Sequence, residues 1–395
     1  IYNIQHIDEA NFGFLTGKRA FNEALTRTLL TAMPAHAPAA ARFLEKVKNR
    51  PDWESNPKIN AKAKEIIIYS FVGPIGIQLS KLMAIGKTPL SEKKQKDYLG
   101  KCLHIAEYTL DLLCFTLLSR LWDRQKQAPT DLPTDLYQTI SARLDYDQTT
   151  ELNLPSQFRL LVALYRYYLA EDQDVPLPEL NAQDEQLSAD SSLHTTIKEL
   201  EALGQKLHQE QYTLLDCHAA EAALGQLLGT FAFLCGYKMA SVHEIGYREV
   251  RNSDPRFIHR YTALGIDSKA QKDAEKLLYV PDTSYTDAVM LFRGDHYRTG
   301  INLFPFVVDL NALSFEHGAM ISFFKSKRFE DDNLVYHILE SNQGRILEHQ
   351  GILGAHTAYE DILMDNEKRK QLNQDVVLAC FQQARDTILN DEFEL

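Results

Sequence analysis

SEKKQKDYLGKCLHIAEYTLDLLCFTLLSRLWDR, residues 91–124, is the stretch on which the fold turns. Leu99, Leu103, Ala106, Leu110, Leu113, Leu117 and Leu121 recur three or four positions apart, the period of one helical face. Cys114, Phe115, Leu118 and Trp122 widen that stripe, which predicts a long helix contacted on several sides. Ser91 is a natural N-cap, and Lys94 stands where a capping-box carboxylate would. The residues just before it, LMAIGKTPL at 82–90, contain Gly-Lys-Thr. A phosphate loop needs a second glycine before Gly86, and Lys81 holds that position. Gly86 instead predicts the end of a helix, with Lys87 at its negative pole and Pro89 as a stop signal.

Working outward, apolar periodicity predicts helices over 21–32, 39–47, 61–71 and 75–85 before the long one. After it, helices are predicted over 156–170, 193–207 and 214–237, with loops at 128–136 and at the polar, acidic 171–192. The period then shortens. Val242, Ile245, Tyr247 and Val250, then the runs 288–292, 301–310, 320–324 and 334–339, predict an antiparallel meander. Gly294 and Asp295 suggest a hairpin turn, and Pro305 an edge strand or bulge. Residues 358–390 return to a helical pattern, with Val376, Val377, Cys380, Phe381, Ala384 and Ile388 on one side. The expectation is an α+β fold: a large α-helical part over 1–240, splitting near 126–155, a β-rich module over 241–355, and a C-terminal helix within 356–395 packed on the rest.

The chain has 395 residues, enough for two or three packed units at about 100–200 residues each. A hydrophobic fraction of 45% supplies a sizeable core, and the net charge of −12 gives no strong nucleic-acid signal. The five cysteines form no Cys-x-x-Cys pair and fit a reducing compartment. With no basic, apolar leader at the start, the expectation is a cytoplasmic protein. The uncharged stretch 222–237 falls short of the roughly 20 residues that span a bilayer, so a buried helix is expected and no membrane span. Gly225 and Gly229 would let a neighbouring helix approach it closely.

Two chemistries are candidates. Cys102–Leu113 and Cys217–Leu228 share His-x-Ala-Glu-x-x-Leu-x-x-Leu, which places His104 with Glu107 and His218 with Glu221 on helical faces. Brought together, the four could bind a transition metal. Carboxylate-bridged bundles use Glu-x-x-His instead, and the alternative is a polar pair that fixes the register of two core helices. The turn Arg293-Gly294-Asp295-His296, with Arg298, could form a basic ligand site in the β module, against a solvated hairpin. His243-Glu244 lacks the second histidine of a zincin motif, and no Gly-x-Ser-x-Gly occurs. Tyr165–Tyr168, YRYY, reads as core or as a partner surface. No cofactor is identified.

FVGPIGIQLSKL at 71–82, YLGKCLHIAEYTLDLLCFTLLSRLWD at 98–123, INLFPFVVDLNAL at 301–313 and LVYHILES at 334–341 resemble an accessory helical-plus-β region of large bacterial signalling and phage-defence proteins. In those proteins the region sits beside kinase or NTPase modules. The resemblance implies a regulatory, docking or sensing role and a protein partner, and it carries over no catalytic residue. The leading expectation is a non-catalytic scaffold. A metal-dependent enzyme or effector at His104, Glu107, His218 and Glu221, and a small-ligand or nucleotide sensor at Arg293, His296 and Arg298, are the alternatives.

Overall fold

The computed structural model describes residues 20–50, 56–145, 153–171, 174–251, 254–265, 275–280, 287–328, 330–352 and 365–391, with 275–280 by backbone alone. Residues 353–364, which include the predicted start of the last helix, lie outside the described residues.

Nine helices precede the strands in the described chain: α1 Glu23–Ala32, α2 Pro38–Val47, α3 Pro57–Ser70, α4 Gly73–Lys87, α5 Glu92–Gln127, α6 Thr134–Leu144, α7 Leu154–Ala170, α8 Ser192–His208 and α9 Leu214–Thr230. The long helix is α5, with 36 residues and a length of about 54 Å. Ser91 Oγ accepts from Lys94 N at 3.1 Å, the expected cap. The Lys94 side chain acts elsewhere, its ammonium donating to Gly86 O at 2.9 Å and Thr88 O at 2.6 Å and so closing the C-terminus of α4. Gly86 lies inside that last turn, one residue earlier than a terminal glycine would. A Cβ there would sit 2.0 Å from Asn22 Nδ2, so the position demands glycine for close approach. No residue of α5 from Tyr108 to Ser119 is more than slightly exposed, and the helix packs against α4, α7, α8 and α9. By length and composition α5 could cross a membrane; 83% of its apolar window is buried within the fold. Gly225 and Gly229 of α9 face Thr28 and Ala32 of α1, so the small-residue pair is a helix-packing site.

Among the described residues, nine strands form two antiparallel sheets rather than one meander. The first has the order β3-β2-β1-β4-β5, built from β1 Tyr237–Arg248, β2 Arg256–Leu264, β3 Glu275–Val280, β4 Val289–Arg293 and β5 Ile301–Asn302. The second has the order β6-β7-β8-β9, built from β6 Val307–Asp309, β7 Ile321–Lys327, β8 Leu334–Ile338 and β9 Gly344–Leu347. Pro305 sits between β5 and β6, the edge strands of the two sheets, where no ladder needs its missing N–H. Gly294 adopts φ 55°, but the chain then runs through a 3-10 turn at Tyr297–Thr299, so the connection is wider than a two-residue hairpin. A short helix, α10 Leu310–Leu313, follows β6, and α11 Asn366–Leu389 closes the chain. Val377, Phe381, Ala384 and Ile388 of α11 are buried, and Phe381 packs on Phe306 and Phe324.

The fold is α+β, as the sequence predicts. One main core runs from Leu25 in α1 through α5 and both sheets to Leu389. Three local expectations are corrected. The helix predicted over 214–237 ends at Thr230, and a 3-10 turn over Ala232–Gly236 leads into β1 at Tyr237. The stretch 128–136 ends in α6, with Pro133 as its N-cap residue. The acidic stretch 171–192 is not an exposed loop where described: Leu177, Leu180 and Leu187 are fully buried and a 3-10 helix spans Pro178–Gln183. Its polar residues face outward while three leucines anchor it.

Candidate functional site

The four proposed metal ligands end in two separate places. His104 and Glu107 lie on α5 where the second sheet docks. Asn342 Nδ2 donates to His104 Nε2 at 3.0 Å, and Tyr108 donates to Asn342 Oδ1 at 2.9 Å. Glu107 is ion-paired with Lys325 of β7. Gln78 and Lys81 of α4 donate to the carbonyls of Leu339 and Glu340, and Lys101 donates to Gln78 Oε1 at 2.8 Å. These bonds clamp the β8–β9 turn onto α4 and α5.

Burial, with Lys101, Lys325 and His337 nearby, lowers the His104 pKa to about 4. Burial and Lys325 bring His337 to about 4 as well. Both imidazoles are therefore neutral at neutral pH in the folded chain, while the unfolded chain takes up protons near pH 6.5. Their contribution is complete above that value and is lost as pH falls from it toward about 4. Partial exposure discounts each to about 1–2 kcal/mol. Urea midpoints measured across this interval should fall, and His104→Gln with His337→Gln should flatten the profile.

His218 and Glu221 occupy the other place, at the start of α1. Glu221 Oε2 accepts from Asn22 N at 3.0 Å and Oε1 from Leu25 N at 3.1 Å. The Tyr98 hydroxyl lies 2.9 Å from both Glu221 Oε2 and Asn22 Oδ1. The carboxylate thus caps another helix across the core. His218 stacks on Phe21 at 4.8 Å between ring centroids, with its Nδ1 3.8 Å from Glu221 Oε2. Burial would raise the Glu221 carboxyl, but His218, the two amides and Tyr98 outweigh it and hold the pKa below its usual value. So the four residues are not brought together, and no three His, Cys, Asp or Glu side chains among the described residues form a group that could hold a metal ion. The cause is the face each motif presents. α5 and α9 do pack together, but their shared motif meets different neighbours, the second sheet in one case and α1 in the other.

Arg293, His296 and Arg298 are all exposed. Arg293 is ion-paired with Glu179 at 3.1 Å, and Glu179 also accepts from Tyr237 at 2.8 Å. Asp295 pairs with Lys238 at 2.6 Å. Arg293 therefore braces the Pro178–Gln183 segment against β4, leaving His296 and Arg298 on the surface. Of YRYY, the three tyrosines are buried and Arg166 reaches out to Asp184 at 2.6 Å.

Other polar groups carry no local signal in the sequence because their partners are distant along the chain. Arg143 of α6 and Asp111 of α5 form a buried pair at 3.2 Å. Asp309 places a fully buried carboxylate 3.8 Å from His243 Nε2, and burial and Asp309 push the Asp287 carboxyl up to about 6. His243 marks a bulge in β1 between Val242 and Glu244. Before the bulge β1 is mostly buried. Beyond it, Glu244–Arg248 is half-buried to exposed and, among the described residues, pairs only with β2, which pairs with β3. This outer ribbon carries Tyr247, 61% exposed, with its ring 5.6 Å from Phe257, and Val250, 54% exposed. Arg248, Arg251 and Arg256 are exposed around them. Aromatic and arginine side chains are enriched at protein contact surfaces in general.

The chain matches no family model, no curated protein and no solved structure. The local geometry therefore carries the functional reading. A sequence signal for the ribbon did exist: Tyr247 and Phe257 flank Arg248, Arg251 and Arg256, interspersed with Glu249 and Asp254. What it lacked was the bulge that separates the outer half of β1 from the inner half.

Proposed function

We propose that this chain is a non-catalytic regulatory scaffold that binds another protein through the outer ribbon of β1, β2 and β3. The observation that carries this reading is the exposed Tyr247, Val250 and arginine surface beyond the His243 bulge. The helical body supports it as a rigid mount, since its buried polar groups at Glu221 and Arg143 clamp helices and strands together. Among the described residues β3 is the outermost strand of its sheet, the position at which a partner strand would add. The resemblance to accessory regions of bacterial signalling and phage-defence proteins is consistent with such a partner. The five free thiols agree with a cytoplasmic setting.

The test is a photo-crosslinking amino acid at position 247, with one at the exposed Leu215 of α9 as control. Position 247 should give one discrete crosslinked protein in the native host, and Leu215 none. With that protein purified, Tyr247→Asp should weaken binding at least about tenfold, the size of a hot-spot loss. Equal crosslinking at both positions, or an affinity unchanged by Tyr247→Asp, would remove the ribbon as the contact.

A further inference from the structure

A cleft of about 390 Å³ opens where the α3–α4 corner and the start of α2 meet the first sheet. The residues that line it include Tyr69, Phe71, Tyr237, Tyr261 and Phe292. The back of the cleft is firm. A Cβ on Gly73 would lie 2.1 Å from Leu264 O, so the first turn of α4 is pressed directly onto the end of β2. The sheet side is firm as well, because Tyr261 stacks on Tyr297 at 5.5 Å and Phe292 meets Tyr297 edge-on at 5.4 Å. Tyr69 is 59% exposed and Tyr261 half-buried, so two of these rings remain open to a ligand.

The polar groups narrow the chemistry. Lys238 and Asp295 both line the cleft and are already paired with each other at 2.6 Å. The two exposed charges balance each other, so the cleft offers no net charge that favours an anion or a cation over a neutral ligand. The Tyr261 hydroxyl makes no hydrogen bond to another described residue, and burial raises its pKa, so it remains an O–H donor at neutral pH. The volume falls within the range of small-molecule sites, which are mostly apolar with a few placed polar groups.

We propose that this cleft binds a neutral, flat aromatic molecule carrying a hydrogen-bond acceptor, its ring held among Tyr69, Tyr261 and Phe292 and its acceptor on the Tyr261 hydroxyl. The site shares Asp295 with the Arg293–Arg298 turn but uses neither arginine, and it does not depend on the ribbon's partner.

The probe is 6-propionyl-2-dimethylaminonaphthalene, a neutral naphthalene ketone whose emission shifts to the blue in a dry site. Saturable one-to-one binding with a blue shift is expected. Tyr261→Phe removes the donor and should weaken binding roughly threefold to tenfold. Ala39→Trp, at an exposed position on the mouth, should abolish it. Cys235 lines the cleft and Cys380 lies on α11; both are half-buried thiols. Burial pushes the Cys235 thiol up, so labelling is followed with excess iodoacetamide at about pH 9; the probe should slow it at Cys235 and leave Cys380 unchanged, which tests the site without any substitution. Non-saturable binding, affinity unchanged in Tyr261→Phe, or no protection of Cys235 would each overturn the proposal. Unchanged thermal midpoints of the two variants confirm that the fold is intact.

Discussion

Glu221→Ala should lower unfolding free energy by about 4 kcal/mol, among the largest effects of any single substitution in this chain. The carboxylate is 1% exposed and receives two backbone amides and a tyrosine hydroxyl. Truncation leaves Asn22 N and Leu25 N without their acceptor, and Tyr98 with Asn22 Oδ1 alone, in a site with little access to water. Buried donors without partners cost about 1–3 kcal/mol each, less whatever relaxation recovers. Glu221→Gln should cost about half as much, because an amide can satisfy one side but turns an NH₂ toward donors on the other. The loss should be local first: amide hydrogen exchange in α1 should quicken before exchange in α5. The pH dependence has a fixed sign. The folded pKa is held below the ordinary carboxylate value, so the stabilisation is complete above about pH 4.5 and is lost as pH falls below it through the folded pKa. Urea titrations of the native chain and both variants across that interval would check it. A Glu221→Ala loss below about 1 kcal/mol would mean that α1 is held mainly by its apolar face.

Eight of the nine described helices before the strands were legible because they carry an apolar stripe at helical spacing, α5 most of all, where leucines line one face and further apolar residues surround it. Two of the departures share a cause. Leu177, Leu180 and Leu187 are too sparse among acidic residues to suggest burial, and Pro133 reads as a breaker although it stands at the N-cap of α6. Each is a tertiary outcome that local composition does not encode. The candidate site shows the same limit more sharply. Spacing placed His104 with Glu107 and His218 with Glu221 on helical faces, and all four side chains do meet buried or half-buried polar surroundings. It could not say what stands opposite. The answers are Asn342, Lys325, and the backbone of Asn22 and Leu25, all remote in sequence. Pro305 was more informative, since a proline inside an apolar run marks a place where a ladder must end. Here two ladders end there, which is why one predicted meander became two sheets.

Arg143→Met should destabilise by roughly 3–5 kcal/mol, and the penalty should grow with pH. Arg143 Nη2 donates to Asp111 Oδ1 at 3.2 Å and to Phe324 O at 2.9 Å, and Nη1 donates to Lys325 O at 3.2 Å. Its guanidinium also lies 4.9 Å from the Phe115 ring and 5.0 Å from the Phe324 ring. One side chain therefore ties α6 to α5 and to the second sheet. Removing it leaves Asp111 with Gln157 Nε2, 2.9 Å away, as its remaining side-chain partner. Burial pushes the Asp111 carboxyl above its usual value, and Arg143 and Gln157 work against that rise. An acid whose folded pKa exceeds its unfolded one loses stability as pH climbs between the two. Without the guanidinium that interval extends upward, so the penalty should be larger at about pH 8 than at about pH 5. Replacing both partners, Asp111→Leu with Arg143→Met, should cost far less than the sum of the single changes, because no unpaired charge then remains. Denaturant titrations of the two single variants and the double variant at both pH values test this. A pH-independent penalty, or strict additivity, would show that Arg143 acts through its carbonyl and ring contacts and that the ion pair itself is secondary.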